Sequence, residues 1–597
     1  MKFIPVSLVV GLLLIACSNS IDSSDSEFSV ITASQDQEEK GVNVLNSPIV
    51  SDPANDPYSV ENMSKAMRSR VLAKFAADTA EVEQMSLEPN YLYVRFLAEG
   101  KKGAAELKAY DRSLVLFKHP LDYKHIRKPV VYIDPALPDT VIPFFATVPV
   151  DYKFGPTKYE IIKELFLVEP LDNDCEEDEC ADVADSSSAE KALLKRAAKK
   201  SSASVLERLE AMGVSLHEVQ WESMVMTGNV GDRIKAQKRE VGELPSAAWS
   251  LLGGGKKYGG KLKFWDETLE KECPLEGVRV TGGYSYYWRE AHTDKNGEFK
   301  IPEKWTFSID YEANFDSDQF LLENGHSGYG EDLEIEKNDM NGDWKETFSG
   351  KKGQWCVVWT AAYQYWYGNN FGLKRPRQND ASNWSLDIEV YFENREDYNA
   401  LITSDGDIGC NAVKGSAGQY ATYGVFENIC VITYGKPSHT IYGNTIHEIA
   451  HSSHFWNMKT TNMIEPQWSE FNSLDPVYKD SYAVGIQNYF IMKRYNHDNE
   501  DYRRHLSGDV MYRYTDLVED LYDDDGESNC EKVADKKSRD KVSGFSIKNI
   551  EKAFFQNKGF STMKNYLMDN NPSGENGVIY SKKDMDNLFK CWGINKN

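Results

Sequence analysis

The spacing of apolar and polar positions changes several times along the 597 residues. After Met1-Lys2 an apolar run extends to Ile15 and is too short for a mature membrane span, so residues 1–17 read as a secretory signal. Residues 18–58 are rich in Ser, Asp, Asn and Pro with little periodicity and predict a flexible tether. Over 59–245, alternating stretches such as Tyr91-Leu-Tyr-Val-Arg-Phe96 and Val130-Val-Tyr-Ile133 predict strands, mixed with a helical pattern from Tyr159 to Leu167. This is an N-terminal α+β domain. Residues 246–265 contain LLGGGKKYGGK (Leu251 to Lys261) and predict a glycine-rich linker. Strand signals return over 266–322, where Asp294-Lys-Asn-Gly297 supplies a tight turn and Phe299 and Ile301 alternate inward. Residues 323–597 are mainly helical, with a uniformly apolar helix over Trp355 to Tyr367 and a buried strand Ile429-Cys-Val-Ile-Thr-Tyr434 that Gly435-Lys-Pro437 ends. The fold class is therefore multidomain α+β, closing in a mainly helical domain with an edge β-sheet.

The segment Asn444-Thr-Ile-His447-Glu448-Ile-Ala-His451-Ser-Ser-His454 carries the chemistry. On a helix, residues four apart share a face with Cα atoms about 6 Å apart along the axis, so His447 and His451 can direct two ring nitrogens at one zinc ion. Glu448, one step round, can reach a water activated by that metal and act as general base. Chance alone yields this pattern about 0.02 times per chain of such composition, which favours a site over coincidence. Two simpler accounts compete: solvated histidines on a surface helix, and a capping box Thr445-x-x-Glu448 that turns the carboxylate back on the helix start. The stripe Ile446, Ile449, Ala450 and Trp456 argues against both, because it places the histidines at the margin of a core. His454 shares the histidine face but lies about 10.5 Å along the axis from His447, and Ser452-Ser453 offers no helix break that would bring it back.

A catalytic zinc takes three protein ligands and keeps one open position. Two acids are candidates for the third. Glu470 stands in Gln467-Trp-Ser-Glu470, with Pro476 close behind. Asp480 opens a long apolar run to Tyr495 that ends in basic residues, as the helix dipole favours, and helix quality prefers it. Aspartate is one methylene shorter than glutamate, so the second helix has to come closer. For oxyanion stabilisation Tyr482, Tyr489 and His505 are unranked candidates.

Thr445 to His454, followed by the Asp480-Ser-Tyr-Ala helix, resembles a group of uncharacterised bacterial surface lipoproteins with gluzincin-like domains. In those relatives a carboxylate at the start of a second helix completes the zinc site, which matches Asp480, and the helix usually begins Glu-Ser-Trp-Ala. The resemblance implies a zincin-like C-terminal domain and a zinc metallopeptidase acting on peptide or protein substrates. Pro274-Leu-Glu-Gly-Val-Arg-Val-Thr281 and His292 to Ile301 resemble the carboxypeptidase-regulatory-like β-sandwich, which implies an accessory module over 266–322. A non-catalytic adhesin or glycan-capture protein on a zincin-like scaffold is the alternative.

Sixty-eight Lys and Arg against 93 Asp and Glu give a net charge of −25, which argues against nucleic-acid binding. Leu14-Ile-Ala-Cys17 resembles a lipobox, which implies acylation of Cys17, membrane attachment through lipid, and an outer-membrane lipoprotein that is surface-exposed or periplasmic. Eight further cysteines permit disulfides; Cys175–Cys180, Cys410–Cys430 and Cys530–Cys591 are candidate pairs. Cys17→Ser is expected to abolish incorporation of labelled palmitate and to move the protein from the membrane fraction to the soluble one.

Overall fold

The computed structural model describes residues 43–74, 79–124, 126, 130–138, 140–168, 203–229, 256–305, 308–325, 332–376, 386–392, 418–423, 426–458, 470–471, 473–495, 515–523, 542–571, 573–574 and 577–594. The signal with Cys17, most of the tether, Cys175, Cys180, Cys410, Cys530 and His505 lie outside the described residues.

The chain begins with β1 (Asn43–Leu45), α1 (Val60–Lys74), α2 (Thr79–Glu83), β2 (Tyr91–Glu99) and α3 (Gly100–Tyr110). β3 (Val130–Tyr132) pairs with β1 in parallel, and β4 (Val141–Pro149) and β5 (Lys158–Leu165) flank β2 in an antiparallel sheet. The two strands expected at Tyr91 and Val130 are present. The helix expected over Tyr159 to Leu167 is not: Lys158–Leu165 is β5. Its backbone is paired along β2, and Arg95 on β2 binds Glu160 on β5, so partners distant in sequence override the local period. α4 (Ala203–Ala211) and α5 (Leu216–Met226) follow, and α5 opens on a capping box between Ser215 and Glu218. Leu209 and Val219 from these helices close an apolar cluster with Met63, Met67 and Val71 of α1.

A strand-rich stretch comes next: β6 (Lys256–Asp266), β7 (Lys271–Pro274), β8 (Arg279–Tyr284), β9 (Tyr287–His292), β10 (Glu298–Trp305), β11 (Ile309–Asn314), β12 (Phe320–Asn324), β13 (Glu334–Met340) and β14 (Trp344–Phe348). One sheet runs β10-β6-β14 with β7 beside β6, and the other runs β13-β11-β8-β9. They meet across Tyr311, whose ring lies edge-on to Tyr258 and Phe299 and whose hydroxyl donates to Gly259 O. The expected turn is present, with Gly297 at φ 77° and Asp294 Oδ1 accepting from Asn296 and Glu298 N–H. These strands reach beyond 266–322 on both sides.

Of the linker expected over 246–265, residues 246–255 lie outside the described residues, and the remainder needs correcting, because Lys256–Asp266 is a central strand. Its glycines serve close approach. A Cβ on Gly260 would lie 1.9 Å from Trp344 O, and one on Gly259 would lie 2.5 Å from Phe299 O. Both neighbours are backbone atoms that cannot step aside.

The remaining elements are α6 (Gly350–Trp366), β15 (Leu386–Tyr391), β16 (Gly418–Tyr423), β17 (Phe426–Ile432), α7 (Ser438–Asn457), α8 (Pro476–Tyr495), α9 (Leu517–Tyr522), α10 (Ile547–Gln556), α11 (Phe560–Asn570) and α12 (Lys582–Cys591). β12, β15 and β17 form a parallel sheet with β16 antiparallel at its end. α6 is core, as its uniform apolarity predicts, with Trp359 and Trp366 enclosed. One apolar cluster runs from Tyr58 to Trp592 through the sheets and helices. Cys430 and Cys591 are disulfide-bonded, whereas Cys273 and Cys356 are free and buried. No helix among the described residues is long and apolar enough to cross a membrane.

The close-approach argument gives a measurable contrast. Gly260→Ala is expected to destabilise the protein by about 3 kcal/mol or more, because backbone has to move. Gly342→Ala, where an added Cβ meets nothing within 4 Å, should stay within about 0.5 kcal/mol of the parent in calorimetric unfolding.

Candidate metal centre

β17 ends at Ile432, Gly435 with its φ of 64° turns the chain, and Pro437 stands just before the first residue of α7. The opening N–H groups of α7 need acceptors, and the turn after β6 supplies one, Thr268 Oγ1 for His439 N; in return Ser438 Oγ accepts from Glu267 N. The far end of α8 is tied to the same turn. Asp266, fully buried, accepts from Tyr495 OH at 3.0 Å and from Arg494 at 3.3 Å.

α7 is more enclosed than its stripe predicts, since every residue from Ile441 to Phe455 is buried. Thr445 donates its hydroxyl to Ile441 O deep inside the helix, so it forms no capping box with Glu448. α8 starts at Pro476, which puts Asp480 in its second turn instead of at a cap. The two helices cross closely because Gly443 lacks a side chain; a Cβ there would lie 2.4 Å from Ile491 Cδ1. On the other side of α8, Gly485 lets Val518 of α9 pack, where a Cβ would sit 2.2 Å from Val518 Cγ1. The closer approach that a short aspartate requires is thus built from glycine.

At this crossing His447 Nε2 and His451 Nε2 lie 3.1 Å apart. Two nitrogens each bound to one zinc at tetrahedral angles would be separated by about 3.3 Å, so the pair is spaced as ligands are. Asp480 Oδ1 is 3.4 Å from His451 Nε2, and the ligand atoms of the three buried residues lie within 4.8 Å of one another. Among the described residues no other group of three His, Cys, Asp or Glu side chains converges in this way. The group can hold a metal ion.

Burial, assisted by His451, holds His447 down at about 3, so it is a neutral imidazole with a lone pair to offer at physiological pH. Burial and then Asp480 raise the Glu448 carboxyl well above its usual range. Glu448 Oε2 is enclosed with no hydrogen-bond partner, an orphaned acceptor beside the histidine pair. An ion with its water would satisfy such an atom, and two imidazole rings plus an aspartate side chain are a donor set that divalent zinc accepts. Gln487 Oε1 faces His447 Nδ1 at 3.1 Å, and Gln487 Nε2 donates to Asn444 Oδ1 at 3.4 Å. Sequence reasoning missed both amides; their signal was the spacing of Gln487 two turns beyond Asp480 on the same helix.

Other candidates go elsewhere. Glu470 is held by Lys558 at 2.8 Å and is not part of the converging group. Tyr482 is fully buried and donates to Glu551 Oε1 at 3.1 Å, behind α7. Tyr489 packs edge-on to Phe371 and Tyr522. His454 serves the core: its ring stacks on Phe555 and meets Phe471 and Tyr482 edge-on, with both nitrogens lacking hydrogen-bond partners. Burial drives its pKa to about 3.

No family model matches the chain, and no curated protein matches it. Among solved structures, the crystal structure of a 9R-lipoxygenase from Cyanothece PCC8801 is 13% identical with a TM-score of 0.10. That match spans 22% of this chain and 26% of the lipoxygenase. A likeness this slight carries no argument about fold or function.

Two measurements follow from the geometry. Elemental analysis is expected to find bound metal in wild type and in Glu470→Ala but not in Asp480→Ala. Burial pushes the Glu551 carboxyl up to about 8, against about 4.3 in an unfolded chain. The folded state therefore keeps a proton that the unfolded state loses, and stability should fall as pH rises from about 4 towards 8. Glu551→Gln should flatten that part of the stability–pH curve.

Proposed function

We propose that this chain is a zinc-dependent metallopeptidase of the gluzincin kind, carried on the bacterial outer membrane by a lipid on Cys17. The observation that carries the reading is the convergence of His447, His451 and Asp480 beside the orphaned Glu448 carboxylate. His447, His451 and Asp480 would hold the ion. Bound there, zinc supplies Lewis acidity that acidifies a water and polarises a carbonyl. Glu448 takes the proton from the attacking water and returns it to the leaving amine, so neither hydronium nor an amide anion has to form. Enclosure supports that role, because a carboxylate stripped of solvent binds a proton more strongly than an exposed one.

A peptide substrate is supported by the sheet beside α7. β16 is its last strand among the described residues, paired with β17 on one side only. Extended chains add to such edges through main-chain hydrogen bonds. The net charge of −25 argues against a nucleic-acid substrate, and the Leu14-Ile-Ala-Cys17 motif supports lipid attachment. The paired sheets of 256–348 would then serve as an accessory module.

Purified protein should carry about one zinc per chain. Glu448→Gln should retain that zinc yet lose about 10²–10⁴-fold in hydrolysis of a quenched-fluorescent peptide library. Protein purified without chelators that holds no metal, or a Glu448→Gln variant with full activity, would overturn the proposal.

A further inference from the structure

His447 has two ring nitrogens, and only one can face an ion shared with His451 and Asp480. Nε2 does so. Nδ1 points the other way, to Gln487 Oε1 at 3.1 Å. An amide oxygen only accepts, so this contact needs a proton on Nδ1 and leaves the Nε2 lone pair open. The amide is itself oriented. Its Nε2 donates to Oδ1 of Asn444, one turn before His447 on the same helix. All three side chains are buried, so no bulk water competes for these groups. The contact depends on the same helix crossing as the ligands, because Gln487 also packs against Gly443, where an added Cβ would lie 3.2 Å from Gln487 Cγ.

Resting on the metal-site reading above, we infer that Gln487, oriented by Asn444, is the positioning residue that locks His447 in its Nδ1-protonated tautomer, so that a divalent cation meets a preformed ligand. The amide does this without charge. A carboxylate in its place would make the imidazole a stronger donor, as outer carboxylates do at histidine–metal sites. Asn444 could serve such a carboxylate by turning its amide over, since its Nδ2 is buried and has no hydrogen-bond partner. Gln487 is thus a neutral setting of the site's affinity, and a carboxylate there should keep or strengthen it.

The test compares zinc affinity, by competition with a chromophoric chelator, for wild type, Gln487→Leu and Gln487→Glu, all checked for fold by circular dichroism. Gln487→Leu should weaken binding about 10–100-fold, and Gln487→Glu should bind as tightly as wild type or more so. Long-range ¹⁵N–¹H spectra of metal-free, histidine-labelled wild type should show His447 protonated at Nδ1. A folded Gln487→Leu variant within about twofold of wild type, or His447 protonated at Nε2, overturns the inference while leaving the metal site standing. If Gln487→Leu does not fold, Gln487→Glu decides: a loss of about tenfold or more rejects the inference, and equal or tighter binding supports it. A wild type that takes up no zinc overturns the metal-site reading as well.

Discussion

The geometry of the centre depends on how closely two helices can cross. Aspartate reaches one methylene less far than glutamate, and the missing length is recovered in backbone separation. Gly443 on α7 removes the Cβ that would strike Ile491 on α8, and Asp480 then arrives 3.4 Å from His451. Gly485 repeats the device on the opposite side of α8 against Val518, so α8 is pressed between two neighbours. Glycine inside a helix costs about 1 kcal/mol against alanine, and here that cost sets the reach of a ligand.

Burying α7 on all sides creates a second constraint, because it carries an unusual share of polar side chains for an enclosed helix. Enclosed polar groups are expensive unless partnered. Thr445 bonds back to Ile441 O, Ser453 donates to Lys374 O, and Asn444 receives Gln487. The residues left over are informative. Glu448 keeps an unsatisfied oxygen, on the residue that follows His447 of the converging group. His454 keeps two unsatisfied nitrogens in an aromatic nest, and it behaves as one more ring of the core. Two histidines three residues apart on one helix thus have opposite fates, decided by what α8 and α10 present to them.

Features governed by local spacing were legible in the sequence: the helices around Trp359, His447 and Asp480, the strands at Tyr91 and Ile429, and the turn at Asp294. Those set by distant partners were not. β5 carries an apparent helical period and becomes a strand because β2 offers it a ladder. Gly259 and Gly260 look like punctuation and are instead the places where neighbouring backbones come closest. The choice of Asp480 over Glu470 could be argued from helix quality, but only packing showed Glu470 engaged by Lys558. Gln487 escaped notice because an amide on an apolar helix announces nothing until the ring it faces is known.

The turn after β6 holds the first residues of α7, through Thr268 and Ser438, and the last residues of α8, through Asp266, Arg494 and Tyr495. Both arms that bring His447, His451 and Asp480 together are therefore anchored in the strand-rich half of the molecule. Cutting the chain between the two regions would strip a helix start of an acceptor and leave Arg494 facing solvent-starved space with no counter-charge. The strand-rich segment works as a chassis on which the helical half is mounted, and evolution could not shuffle one away from the other without rebuilding that joint.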